Sequence, residues 1–197
     1  MKCIIIGNGE QTKIHPDYTA DYVIGADMYV EGVDLLVGDF DTLCIDSIPD
    51  NIETIRHPIE KDESDLELAV AEAIRRGFDT FYIYGCLGGR FDHTLASIAV
   101  LTSISQKGLC GFLIGKSQTI TAITKGKLTL ECNPPEVVSL FPAGDTAAGV
   151  TLTGFKYPLN NATLTNNNSL GLSNVALDSN AVIEVKNGTL IVVINRK

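Results

Sequence analysis

In this chain of 197 residues, no apolar run approaches the roughly 20 residues that a bilayer-spanning helix needs, so a membrane-embedded role is not expected. The opening Met1-Lys2-Cys3-Ile4-Ile5-Ile6-Gly7 is too short an apolar stretch for a secretory signal, and the expected address is the cytoplasm. Cysteine is sparse. Cys3, Cys44, Cys86, Cys110 and Cys132 form no Cys-x-x-Cys pair, which removes the usual zinc and dithiol signatures. An odd number of thiols in such a chain fits reduced, structural cysteines. Basic residues are also short, 15 Lys and Arg against 24 Asp and Glu, a net charge of −9. That balance argues against nucleic acid or an anionic membrane as partner, because both select for Lys and Arg. No Gly-x-x-x-x-Gly-Lys-Ser/Thr loop and no Gly-x-Ser-x-Gly elbow occur, so neither a Walker-type NTPase nor a serine hydrolase is indicated.

What remains is the balance of a folded globular protein, with 45% hydrophobic and 20% charged residues. The length suits one large domain or two small ones. Charge divides the chain: through Lys116 there are 19 acids and 9 bases, and from Ser117 onward 5 acids and 6 bases. Pattern divides it too. In the first half, short apolar runs (Cys3-Ile6, Tyr22-Gly25, Asp34-Val37, Glu53-Arg56, Phe81-Tyr84, Gly111-Ile114) end mostly in Gly, Asp or Pro and read as strands. Ser64 to Arg76 carries Leu66, Ala69, Val70, Ala73 and Ile74 at helical spacing, with Ser64 and Glu67 as a capping box. Phe91 to Gln106 reads as a second helix, with Leu95, Ile98, Ala99, Leu101 and Thr102 along one face. Gly77 and Gly108 stand where helix stops belong. Alternating strands and helices predict a mainly parallel, Rossmann-like α/β domain over residues 1–116, with ligands beyond the carboxyl ends of its strands.

The second half shows no convincing helix. Thr119-Thr124, Lys127-Cys132, Val137-Phe141, Gly149-Thr153, Ala162-Thr165, Ala181-Val185 and Thr189-Ile194 read as short strands, with Asn187-Gly188 as a hairpin signal. An all-β sandwich or barrel over residues 117–197 is expected.

Carboxylates gather where strands end. Asp39 and Asp41 follow Leu35-Val37, and in an extended segment residues two apart face the same way. Lys61-Asp62-Glu63-Ser64-Asp65 opens a helix, where Asp62 and Asp65 would be surface neighbours if the turn has begun. Gly85-Cys86-Leu87-Gly88-Gly89-Arg90-Phe91-Asp92-His93 joins the next strand to the next helix. Aspartates that converge repel unless a cation sits among them, and an all-oxygen donor set points to Mg²⁺ or another hard ion. Mg²⁺ so held keeps positions open for substrate phosphates, with Lys61 and Arg90 available to offset their charge. Gly88-Gly89 would let backbone approach a phosphate at a helix N-terminus. Each piece has a plainer reading as well: Asp and Ser before a helix act as caps, and two glycines make a tight turn. Gly7-Asn8-Gly9 suggests a dinucleotide loop, but Thr12 stands where the third glycine belongs. His15, His57 and His93 are scattered.

Taken in order, these segments resemble the thiamine pyrophosphokinase family. The match runs through Gly38-Asp39-Phe40-Asp41-Thr42, Glu60 to Ala69 and Gly85 to His93. It continues with Val138-Ser139-Leu140-Phe141-Pro142, Gly154-Phe155-Lys156-Tyr157-Pro158-Leu159 and Gly171-Leu172-Ser173-Asn174, essentially the whole chain. The resemblance implies a nucleotide-binding α/β domain, a β-sandwich for thiamine, and a homodimer with sites formed between subunits. It implies transfer of diphosphate from ATP to thiamine, giving thiamine diphosphate and AMP with Mg²⁺ as cofactor. Catalytic roles then fall to Asp39, Asp41, Asp62, Asp65, Arg90 and Asp92, with Asp39, Asp41 and Asp65 as metal ligands. Asp27, Lys61, Gly88, Gly89, Arg90 and His93 are assigned to the nucleotide; Ser173, Asn174 and Tyr157 are assigned to thiamine. The chain departs from the family at Asp27-Met28-Tyr29-Val30-Glu31, where Asp-Gly-Gly-Ala-Asn is usual. Gln11 to Asp21 looks too short for the usual helix, Thr42 replaces the commoner serine, and Gly171 stands where some members have serine. Rival readings are another Mg²⁺-dependent phosphotransferase or nucleotide hydrolase, and a thiamine or nucleotide sensor without turnover.

Overall fold

The computed structural model describes residues 1–9, 19–41 and 48–196. Thr12, His15, Thr42, Cys44 and most of the Gln11 to Asp21 stretch lie outside them. The chain separates into two compact units, Met1–Val100 with Leu113–Gly115, and Leu101–Phe112 with Lys116–Lys197.

In the first unit, β1 (Lys2–Ile6), β2 (Tyr22–Ala26), β3 (Leu35–Gly38), β4 (Glu53–Arg56) and β5 (Thr80–Tyr84) pair in the order β5-β1-β2-β3-β4. Every one of these pairings is parallel. The inner strands are continuous apolar runs because parallel strands are covered on both faces; Leu35, Leu36 and Val37 are wholly buried. Helix α1 (Asp65–Arg75) begins as expected: the Ser64 hydroxyl accepts from Glu67 N–H, and the Glu67 carboxylate accepts from Ser64 N–H. Leu66, Ala69, Val70 and Ala73 form its buried stripe. Just past its end, Arg76 reaches Glu72, Glu53 of the edge strand β4 and the Tyr22 hydroxyl on β2.

Helix α2 (Phe91–Gln106) corrects one expectation. Leu95 and Leu101 do not share a face, since six residues along a helix turn through about 600° and leave them about 120° apart. The buried side is Ser97, Val100, Leu101 and Ile104, whereas Phe91 (73% exposed) and Leu95 (52% exposed) face outward. Apolar residues all round the helix hid which stripe was the inner one.

β6 (Cys110–Ile114) runs through the division between the units. The second unit contains β7 (Gln118–Glu131), β8 (Glu136–Pro142), β9 (Thr146–Thr153), β10 (Ala162–Thr165), β11 (Asn174–Ala176) and β12 (Asn180–Asn195). These pair antiparallel, and no helix occurs among the described residues after α2. The sequence suggested two hairpin-linked strands around Asn187-Gly188; instead β12 continues through them. Val185 pairs Gly126 and Thr189 pairs Thr124, leaving Lys186, Asn187 and Gly188 as an irregular bulge against β7. Gly188 takes a left-handed φ of 87° there, which explains the turn-like signal. Across this bulge β12 changes its second partner, from β9 at Val182–Glu184 to β8 at Leu190–Asn195. The core beneath includes Leu140, Leu152, Leu164, Ile183 and Leu190.

Candidate functional site

Three carboxylates meet at the carboxyl ends of two adjacent parallel strands. Asp27 follows β2, and Asp39 and Asp41 follow β3; each offers an oxygen within 4.8 Å of the others. Backbone contacts fix the two loops to each other. Asp27 N–H donates to the Val37 carbonyl (2.8 Å), and Phe40 N–H donates to Asp27 Oδ1 (3.0 Å). Asp39 and Asp41 converge, but not through the extended segment expected. Phe40 between them has a left-handed φ of 60°, and Asp27 one of 48°. The Phe40 ring anchors this turn by packing with Val33 and Leu36. Tyr29 and Val30 pack against the same cluster.

Lys61 supplies the positive charge. Its Nζ donates to Asp39 Oδ2 at 2.9 Å and Asp65 Oδ1 at 2.8 Å, with the lysine side chain 12% exposed. Hydrogen bonding from Lys61, then from Asp41 N–H, holds the Asp39 carboxyl below the usual carboxylate range, against the opposing effect of burial. Burial pulls the Lys61 ammonium downward, but its bonds to Asp65 and Asp39 outweigh this and raise its pKa. Asp65 thus starts α1 facing Lys61 and lies outside the three-carboxylate group. Asp62 precedes the cap Ser64, so it is not on the helical surface, and it is exposed. The resemblance assigns Asp27 to the nucleotide, whereas its carboxylate stands with those of Asp39 and Asp41. The available signal was an aspartate following both Tyr22-Gly25 and Leu35-Val37, runs that become neighbouring strands.

In the third segment Gly88 and Gly89 take left-handed φ values of 85° and 63° and turn the chain from β5 into α2. Arg90 grips Asp92 with both Nε (3.2 Å) and Nη2 (2.6 Å), on the surface. That contact is the first cause holding the Asp92 carboxyl below its ordinary range. His93 is exposed and its N–H donates to Asp92 Oδ1. The glycines of Gly7-Asn8-Gly9 have a packing reason: a Cβ on Gly9 would strike the Gly85 carbonyl, and Gly9 N–H donates to that oxygen at 2.8 Å. Cys3 and Cys132 are buried, Cys86 is half-buried and Cys110 is exposed; burial first pushes Cys3 up to about 12 and Cys86 up to about 11.

In the second unit, Ser173 is exposed, with a left-handed φ of 55°, and its N–H donates to Ser139 Oγ. Asn174 is turned inward and only 4% exposed. Tyr157 is an exposed ring, with the Lys156 ammonium 5.5 Å from its centroid.

The acidic group has the donor chemistry of a hard divalent cation, oxygen from several carboxylates with a cationic side chain beside it. A family model described as the thiamin pyrophosphokinase catalytic domain matches residues 8–112, more than half of the chain. The chain belongs to the thiamin pyrophosphokinase family. A second model of that family, its vitamin B1 binding domain, matches residues 127–190. A thiamine pyrophosphokinase of Bacillus subtilis is 34% identical over 68% of this chain and 63% of its own length. Among solved structures, a Bacillus subtilis thiamine pyrophosphokinase superposes with a TM-score of 0.88 at 26% identity, covering 100% of both chains. An Enterococcus faecalis family protein does so with a TM-score of 0.84 at 25% identity, again over 100% of both. Family membership also accords with the mixed, sheet-dominated architecture with few helices. Among the described residues no helix is long and apolar enough to cross a membrane.

Proposed function

We propose that this chain transfers a diphosphoryl group from ATP to the hydroxyethyl oxygen of thiamine, giving thiamine diphosphate and AMP. The carrying observation is the meeting of Asp27, Asp39 and Asp41 within 4.8 Å, in a chain that matches both family domains in order. The parallel unit is read as a Rossmann-like nucleotide-binding domain, and the antiparallel unit as a β-sandwich for thiamine. Asp39 and Asp41, with Asp27 beside them, have the oxygens to hold Mg²⁺, and Asp65 adds charge through the shared Lys61. Mg²⁺ bound there would offset the charge of the triphosphate during transfer. Lys61 and Arg90 contribute cations for the phosphates, while the Gly88-Gly89 backbone and the start of α2 favour an anion. Asp62, Asp92 and His93 flank the same loops, and Ser173 presents a hydroxyl to thiamine.

The test is direct. Purified protein with Mg²⁺, ATP and thiamine should form AMP and thiamine diphosphate in equal amounts, only when thiamine and metal are both present. ADP or phosphate released without thiamine would select the nucleotide-hydrolase reading; thiamine binding without turnover would select the sensor. An Asp39→Asn/Asp41→Asn variant that stays folded with full turnover sinks the metal role. The enzyme is further read as a cytoplasmic homodimer. Phe91 and Leu95, apolar and exposed one turn apart on α2, are the residues a second copy would cover, which sedimentation of Phe91→Glu checks.

A further inference from the structure

We infer that Asn174 is a positioning residue that acts on thiamine through Tyr157, rather than a contact to the ligand itself. The inference rests on the thiamine reading above and refines which residue of the Ser173-Asn174 pair meets the ligand. The left-handed backbone at Ser173 turns consecutive side chains to opposite sides, serine outward and asparagine inward.

Inside, the Asn174 amide is already committed. Oδ1 accepts from Tyr157 N–H at 3.0 Å and from Val175 N–H at 2.8 Å, and Nδ2 donates to the Tyr157 carbonyl at 2.8 Å. The side chain therefore grips both polar backbone groups of one residue, as a neighbouring strand would. Backbone bonds extend the grip: Lys156 N–H donates to the Val175 carbonyl at 2.8 Å, and Leu177 N–H to the Gly154 carbonyl at 2.8 Å. Phe155 bridges Ala176 between them. The Gly154–Tyr157 segment is thereby fastened along β11, and its outward product is the Tyr157 ring, 58% exposed, with Lys156 beside it. An asparagine that is 4% exposed and has both polar atoms engaged does not reach a ligand; a fastened, solvent-facing aromatic ring and the Ser173 hydroxyl do. The amide supplies an acceptor and a donor from one planar group, whereas an ionised aspartate only accepts, which explains asparagine here rather than aspartate.

The decisive experiment is a double-mutant cycle on the full chain, with thiamine affinity from calorimetry and KM values for thiamine and ATP. Asn174→Asp keeps the shape and the acceptor but sets a carboxylate oxygen against the Tyr157 carbonyl. It should raise the thiamine KM about tenfold, the scale of one lost hydrogen bond, and leave the ATP KM in place. Tyr157→Ala should do the same, and the double variant should be no worse than the worse single one. Multiplying effects in the double variant, or a thiamine KM unmoved by Asn174→Asp, overturn the inference. Amide hydrogen exchange keeps the test independent of thiamine and covers poor folding. Asn174→Ser should speed exchange at Tyr157 and Lys156 while the β7–β12 ladder stays protected, and unchanged exchange at Tyr157 also overturns it. A wild-type chain that turns over no thiamine, yet shows that local exchange response, overturns the thiamine reading while upholding the fastening of Tyr157.

Discussion

Replacing Gly38 with alanine tests whether the acidic corner is set by close packing of two loops. A Cβ added at Gly38 would lie 3.1 Å from Asp27 Cα, Cβ and Oδ1 alike. Such atoms settle at about 3.5–4.0 Å, so Asp27 must retreat by roughly 0.4–0.9 Å. Asp27 has little room to do so, because its Oδ1 accepts from Phe40 N–H at 3.0 Å and its own N–H is tied to the Val37 carbonyl. Overpacking of this kind costs about 1–3 kcal/mol of stability. A shift approaching 1 Å in a group that orients reactants costs on the order of 100-fold in turnover. Urea unfolding and AMP formation measure the two effects. Gly144→Ala is the control, since a Cβ there meets nothing within 4 Å and needs no left-handed backbone. Gly38→Ala with wild-type unfolding midpoint and wild-type turnover would refute the argument.

Other outcomes follow from the start and end of α1 and from the core of the second unit. Ser64→Ala removes the hydroxyl that accepts from Glu67 N–H and should cost about 1 kcal/mol in thermal unfolding, whereas Ser64→Thr should keep most of it. Hydrogen bonding from Arg75 first, and also from Arg76, brings the Glu72 carboxyl from its ordinary 4.5 down to about 2. A lowered folded-state pKa stabilises above the unfolded value, so this contribution is full above pH 4.5 and is lost as pH falls toward about 2. Urea midpoints at pH 5.5 and pH 2.5 should therefore differ less in Glu72→Gln than in wild type. Leu164→Ala, at a wholly buried position of the second unit, should cost about 2–5 kcal/mol without altering which products form.

Much of the chain was legible because local chemistry and tertiary placement agree. The Ser64 and Glu67 pair named a helix start that Leu66, Ala69, Val70 and Ala73 confirm by their burial. Leu35-Leu36-Val37 announced a strand buried on both faces. Reading failed where one signal serves two structures. Asn187-Gly188 suits a hairpin and a bulge equally, and the pairing of β12 with β7 on both sides of it distinguishes them. Around α2 apolar residues sit on every side, so spacing could not separate Leu101, buried, from Leu95, exposed. Asp39 and Asp41 were found by their position after a strand, but the left-handed Phe40 that brings them together leaves no mark in residue type. Asp27 joins them only because β2 and β3 are neighbours, a fact of topology rather than of spacing.

Asp27 and Phe40 both carry side chains on backbone that suits glycine, a cost on the order of 1–3 kcal/mol apiece. Glycine at position 40 would relax that turn, but it would also remove the ring held by Val33 and Leu36. A library of this chain screened only for heat resistance should accept asparagine at position 27, because folding asks there for an acceptor to the Phe40 N–H and not for its charge. Screened instead for growth that depends on the chemistry, it should keep both residues. The difference between the two surviving populations would separate what the chain needs to fold from what it retains in order to act.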